Sequence, residues 1–181
     1  MRRLILLFLA VVGAGCGGSS KSTAPTTTAV TTTAASPSTA VPGSRVLYAG
    51  GAWAVVLHGK QAVAVHLVDG GWQPDRSGRV RIEILGPPPG GTAAKLPQIA
   101  AQLTAPAPGL VESGLWVDGK ALQVKGGGSP TRATIYGAPA KPLAAGTHPA
   151  VAYGRTAGTG TARAWSFRTP CGTGSGSPAA A

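Results

Sequence analysis

Glycine and proline interrupt this chain too often for long helices to form. The sequence holds 28 Gly and 16 Pro among 181 residues, and no stretch within residues 44–170 sustains the apolar periodicity of an amphipathic helix. The segments between the breaks are short apolar runs bounded by turn-forming residues. This pattern predicts an all-β protein.

The first group of predicted strands is a small antiparallel β-meander in residues 44–90. Residues 53–58 and 62–68 are apolar runs joined by a Gly-Lys turn. In residues 79–85, Val and Ile alternate with Arg and Glu, which predicts a strand with one buried face and one solvent-exposed face. We expect three or four strands, ended by the Pro-Pro-Pro-Gly-Gly stretch at residues 87–91.

The second group of predicted strands occupies residues 95–170. Its strongest local signal is Asp118-Gly119, because a type I′ hairpin turn requires positive φ at both central residues. The strand candidates are residues 98–103, 114–117, 121–124, 132–136, 147–153 and 162–168.

Four phrases in this second group resemble a bacterial immunoglobulin-like domain of the Big type. They are Pro-Gln-Ile-Ala-Ala-Gln-Leu at 97–103, Leu-Trp-Val-Asp-Gly-Lys-Ala-Leu at 115–122, Leu-Ala-Ala-Gly-Thr-His-Pro-Ala-Val at 143–151, and Ala-Trp-Ser-Phe at 164–167. The resemblance implies an immunoglobulin-like antiparallel β-sandwich over residues 95–170. It also implies that His148 has a structural position.

The strand after His148 departs from that family. It places Ala150 and Ala152 where the family usually has β-branched residues, so Val151 and Tyr153 point to the opposite face. We expect the meander of residues 44–90 to cover that face.

The N-terminus is typical of an exported protein. Residues 1–15 contain two arginines, an apolar run too short to span a bilayer, and the small residues Gly-Ala-Gly directly before Cys16. This arrangement resembles the bacterial lipobox, although Gly13 stands where Leu is preferred. The resemblance implies lipidation of Cys16 and anchoring on the extracytoplasmic face of the cell membrane; the alternative is an ordinary cleaved signal.

Low-complexity segments flank the predicted domain. Residues 16–43 are mostly Gly, Ser, Thr, Ala, Pro and Val, a composition that favours a disordered stalk and allows O-glycosylation of its threonines. Residues 171–181 form a second predicted disordered tail, in which Cys171 is either incidental or available for an intermolecular disulfide.

The charge balance is strongly basic. Loss of Arg2 and Arg3 with the signal leaves 14 Lys and Arg against 5 Asp and Glu. Outside the cytoplasm this charge favours lipid headgroups or anionic cell-wall polymers. The basic residues are scattered singly without interleaved aromatics, so we expect no nucleic-acid partner.

No motif predicts catalysis, a metal site or a cofactor. His58 and His66 lie on neighbouring strands of one predicted hairpin, but no carboxylate or cysteine near them in sequence completes a ligand set. The sequence has no nucleophile elbow, and its five acids fall mostly at turns or wet strand positions. Trp165 is predicted to be core, and Trp116 is either core or a contact at the hairpin tip. Trp53 and Trp72 either pack together or face solvent. Trp53, Trp72 and Trp116 are therefore the candidate binding contacts.

The sequence therefore predicts a non-enzymatic envelope lipoprotein. Its domain would serve as an interaction or structural module, with the membrane, an envelope protein or an anionic wall polymer as partner. A carbohydrate-binding module is the alternative and requires coplanar exposed tryptophans. A small secreted hydrolase is a weaker alternative and requires polar groups converging in a pocket. The oligomeric state is left open.

Overall fold

The computed structural model describes residues 35–171. The predicted signal, Cys16, most of the stalk and the tail after Cys171 lie outside the described residues. Residues 35–171 contain twelve β-strands and one short 3₁₀ helix, Pro37–Ala40, so the all-β prediction is confirmed. Within this range, no helix is long and apolar enough to cross a bilayer.

The strands form three four-stranded sheets. We call them the meander sheet (β1-β2-β3-β4), the outer sheet (β5-β6-β10-β9) and the middle sheet (β12-β11-β7-β8). The strands are β1 Arg45–Gly50, β2 Trp53–His58, β3 Gln61–Val68, β4 Gly71–Pro74, β5 Arg81–Gly86, β6 Ile99–Thr104, β7 Glu112–Val117, β8 Lys120–Ala121, β9 Lys125–Ser129, β10 Arg132–Gly137, β11 Gly146–Arg155 and β12 Gly160–Thr169.

The outer and middle sheets make an immunoglobulin-like sandwich. Their strand orders correspond to the A-B-E-D and G-F-C sheets of that fold, with β8 as a short extra strand. The core between them is apolar, because alternate residues of each strand point inward. Its buried members are Ile82, Ile99, Ala101, Leu103, Leu115, Val117, Ile135, Ala150, Ala152, Trp165 and Phe167.

The meander sheet covers the other face of the middle sheet, as the sequence predicted. Val151 and Tyr153 of β11 are buried there against Val55 of β2 and Ala64 of β3. Small side chains line much of this contact; Ala164 of β12 is one of those packed against the cluster. The molecule is therefore three layers of β-sheet.

A third apolar cluster lies on the far side of the meander sheet. Ala54 and Val56 of β2 and Val65 of β3 are fully buried there. Ala40 and Val41, at the end of the 3₁₀ helix, pack against them. The far face of the meander sheet is thus covered in part.

Two Asp-Gly turns have the backbone conformation that their sequence requires. Asp118 and Gly119 have φ of 52° and 75°, and Asp69 and Gly70 have φ of 50° and 79°. Positive φ at both central residues identifies type I′ turns, whose twist matches that of the strands they join. The predicted Asp118-Gly119 hairpin is confirmed.

The prediction that residues 79–85 form a strand of the meander is wrong. Val80 and Ile82 are buried and Arg81 is exposed, as the alternation indicated. However, β5 pairs with β6 in the outer sheet rather than with the meander. Alternation identifies which face of a strand is buried, but it does not identify the neighbouring strand.

Two further strand assignments differ from the prediction. Lys125–Ser129 forms edge strand β9 although three of its five residues are glycine, which sequence propensity disfavours. The predicted strand at 121–124 is limited to Lys120–Ala121.

Candidate functional site

The predicted tryptophan contacts are not free to bind a ligand. Trp116 and Trp53 are 5% and 7% exposed. Trp72 is half-buried, and its indole N–H donates to the carbonyl of Ala35 at 2.5 Å. Trp116 is thus core, which is one of the two positions predicted for it, and Trp53 does not face solvent. The three rings do not form the coplanar exposed platform that sugar stacking requires. Trp165 is buried in the sandwich, as predicted.

The two histidines of the meander hairpin lie at opposite ends of it. His58 is opposite Gln61 beside the turn, whereas His66 is opposite Trp53 at the other end. The His66 ring instead packs against Trp53, with ring centroids 5.0 Å apart. Within residues 35–171, no three His, Cys, Asp or Glu side chains gather as a metal site would require.

His148 lies in a chain of contacts that has the order of a catalytic triad. Its Nδ1 is 2.8 Å from the Asp118 carboxylate, and its Nε2 is 3.0 Å from the Thr169 hydroxyl. However, Nε2 is also 2.9 Å from the Ala144 carbonyl, to which the Thr169 hydroxyl donates. Thr169 is 3% exposed. A buried hydroxyl that donates to a backbone carbonyl is not positioned as a nucleophile. These contacts fasten the start of β11 to the end of β12.

A polar link joins the meander sheet to the middle sheet. Tyr48 of β1 donates to Glu112 of β7, and Arg155 of β11 donates to the same carboxylate at 2.6 Å. Donation to Glu112, together with burial, raises the pKa of Tyr48 above its usual value. Burial also raises the pKa of the nearby Tyr153 hydroxyl. The cluster holds two layers together and uses both oxygens of Glu112.

Asp75 ties the end of the meander sheet to the β11–β12 turn. Its carboxylate accepts from the backbone N–H of Gly160 at 2.6 Å and from the Thr159 hydroxyl at 2.8 Å. The backbone N–H of Ser77 donates to its other oxygen at 2.7 Å. Burial alone would raise the pKa of Asp75, but these hydrogen bonds outweigh burial and lower it.

A cleft lies where the β2–β3 hairpin, the Pro-Pro-Pro-Gly-Gly segment at residues 87–91 (the Pro-Gly joint) and β12 meet. It encloses about 590 Å³, a volume suited to a small organic ligand or a short peptide. Leu57, Pro149 and Trp165 contribute apolar walls. We take this cleft as the candidate functional site, because the polar clusters described above make hydrogen bonds that join parts of the domain.

The charged side chains that line the cleft are basic. Lys60, in the hairpin turn, and Arg163, on β12, both line it, and no acidic residue does among those described. One guanidinium nitrogen of Arg163 donates to the Ile82 carbonyl at 2.8 Å, which holds the group in place at the edge of the outer sheet. Its remaining N–H groups are available to an anion.

The backbone edge of β12 is open along part of the cleft. The chain from Gly90 to Ala93 runs parallel to β12 and bonds to Ser166 and Arg168. Because N–H and C=O groups point to alternate sides along a strand, Ala164 has the same outward orientation as those two residues. In the described part of the chain, no strand pairs with β12 on that side at Ala164.

The sequence analysis did not predict Lys60 or Arg163 as site residues. Lys60, Arg163 and the Pro-Gly joint are far apart in the chain, and each looks like an ordinary surface feature by itself. The available signal was the proline run at 87–89, because proline cannot extend a hydrogen-bonded edge.

Comparisons with known proteins do not identify the chain. No family model matches its sequence, and no curated protein is detectably similar to it. Among solved structures, the endo-beta-1,4-mannanase from Thermotoga petrophila is similar over 50% of this chain and 19% of its own, with a TM-score of 0.41 and 10% identity. The chain thus spans about a fifth of the length of that enzyme.

Proposed function

We propose that the chain is a lipid-anchored, extracytoplasmic lipoprotein whose three-layer domain is a non-catalytic binding module of the cell envelope. The observation that carries the anchor is Cys16, which directly follows a basic start, a short apolar run and three small residues. The predicted stalk after it would hold the domain clear of the bilayer. Residues 37–41 are part of the folded domain, which corrects the predicted end of the stalk at residue 43. Treated as a coil, residues 17–34 reach roughly 23 Å on average.

Polar side chains that make hydrogen bonds within the domain support a non-catalytic role. Of the five acids, Asp75, Glu112 and Asp118 accept hydrogen bonds that join separate parts of the domain. General acid–base catalysis requires a group free to exchange a proton with a substrate. The buried His148 also has both ring nitrogens engaged within the fold.

The basic surface supports a partner of opposite charge. Most cationic side chains of the domain are exposed, whereas three of its acids have their charge engaged internally. Such a surface attracts anionic headgroups, acidic proteins or wall polymers over about a Debye length. The cleft at β12 is the concave part of that surface that offers apolar walls and two cations together.

Metabolic labelling with an alkyne-bearing palmitate tests the anchor. The wild-type chain should incorporate the label and fractionate with membranes, whereas the Cys16→Ser chain should do neither. Cys171→Ser is the matched control and should behave as the wild type, because Cys171 lies after the domain. Labelling that persists in Cys16→Ser would contradict the proposed anchor.

A further inference from the structure

The open part of the β12 edge results from the proline run before it. The segment from Gly90 to Ala93 bonds to β12 at Ser166 and Arg168. Residues 87–89 are prolines, which have no N–H to donate, so this segment supplies no backbone donor to β12 before Gly90. Backbone groups at Ala164 therefore face the cleft, in a position where another strand could bond to them.

The two cations of the cleft lie on opposite sides of β12. Lys60 belongs to the turn of the meander sheet, whereas Arg163 reaches to the Ile82 carbonyl of the outer sheet. Successive side chains of an extended peptide also point to opposite faces. Two adjacent acidic residues in one strand would thus meet one cation each.

We propose that this cleft binds an acidic peptide segment in extended conformation, which adds a strand to the open edge of β12. Backbone bonds to Ala164 provide the alignment, and the carboxylates of the peptide pair with Lys60 and Arg163. The walls of Leu57, Pro149 and Trp165 accept apolar residues beside the acids. The inference rests on the proposed function as a binding module and names the ligand class of that module.

The test measures peptide binding to the full-length chain in detergent by isothermal titration calorimetry. The probe is a capped hexapeptide with two adjacent glutamates flanked by valine and threonine. Four comparison ligands separate the contributions: the same peptide with lysines for glutamates, two peptides that are each N-methylated at one of the two alternate sets of residues, and free glutarate. The acidic peptide should bind, and the lysine peptide should not.

Loss of backbone donors should weaken binding about fivefold or more, since each hydrogen bond contributes on that order. Because only one edge of the peptide faces β12, one of the two methylated peptides should lose affinity by that factor and the other should not. Unchanged affinity for both methylated peptides, or an affinity for glutarate matching that of the peptide, would show an anion site without strand addition and would overturn the proposal.

Variants of β12 test the protein side of the contact. Arg163→Gln should weaken the acidic peptide about tenfold, because it removes a charge-assisted contact. Arg168→Gln is the matched control: it is exposed on the same strand but does not line the cleft. Ala164→Pro should also weaken binding, since it removes an outward N–H that β11 does not use. Unchanged affinity in Arg163→Gln would contradict the proposal. If Ala164→Pro does not fold, the methylated peptides still test whether the ligand bonds to the open backbone edge of β12.

Failure of this inference is distinguishable from failure of the proposed function. If the chain carries lipid on Cys16 but binds none of the peptides, the proposed acidic-peptide ligand is wrong and the proposed lipid anchor stands. If the chain incorporates no palmitate, the proposed lipid anchor is wrong, whether or not the peptides bind.

Discussion

Replacement of Val55 tests whether the meander sheet is a true third layer. Val55 is 0% exposed and packs between the meander and middle sheets, against Val151 and Tyr153. Val55→Ala removes two methyl groups, which costs about 1.6 kcal/mol at about 0.8 kcal/mol per carbon. A residual cavity of roughly 40 Å³ adds about 1 kcal/mol. We expect the free energy of unfolding to fall by about 2.5 kcal/mol.

Val46→Ala is the matched control because it makes the same chemical change at a position that is 36% exposed. Its cost should be about 0.5 kcal/mol. The assay is urea unfolding followed by tryptophan fluorescence and far-ultraviolet circular dichroism, which should give coincident transitions if the three layers unfold together. Equal costs for the two variants, or a separate early transition for the meander sheet, would refute the three-layer packing.

Three further predictions concern the polar links. The lowered pKa of Asp75 means that its carboxylate stabilises the fold at neutral pH, and that this contribution is lost as pH falls below the unfolded value near 3.8. Asp75→Asn should therefore be less stable than wild type at neutral pH yet lose less stability on acidification, and parallel pH profiles in urea melts would contradict this. The raised pKa of Tyr48 means that stability is retained below its unfolded value of 10.0 and is lost as pH rises through the higher folded value. Tyr48→Phe should cost about 1 kcal/mol at neutral pH and flatten the alkaline loss, whereas an unchanged alkaline limb would count against the Glu112 link. His148→Phe should cost about 1 kcal/mol, because it removes the hydrogen bonds of a buried imidazole to the partly exposed Asp118 carboxylate and to the Ala144 carbonyl, and a melting temperature equal to that of wild type would show that these contacts are not structural.

Local patterns predicted much of the fold. The Asp118-Gly119 turn was predictable because few backbone conformations suit that pair in a hairpin. The covering of Val151 and Tyr153 was predictable because apolar residues on both faces of a strand indicate layers on both sides. By contrast, the partner of β5 was not predictable, since the alternation of its residues is compatible with either neighbouring sheet.

The candidate site was much less predictable than the fold. Trp53 and Trp116 were candidate binding contacts, yet both are buried: Trp116 lies in the cluster between the meander and middle sheets, and Trp53 lies against Gly160 and Arg155 of the middle sheet. A single sequence indicates that tryptophans occur in strands but does not indicate which layer covers them. The cleft depends on segments that meet only after three sheets have stacked, so its cations have no common sequence signature.

Mass spectrometry of the N-terminus of the chain, purified from bacterial membranes, tests the central claim most directly. We expect the mature chain to begin at Cys16, with a thioether-linked diacylglyceryl group on the sulfur. A chain that begins at another residue, or an unmodified Cys16 in membrane-purified protein, would contradict it.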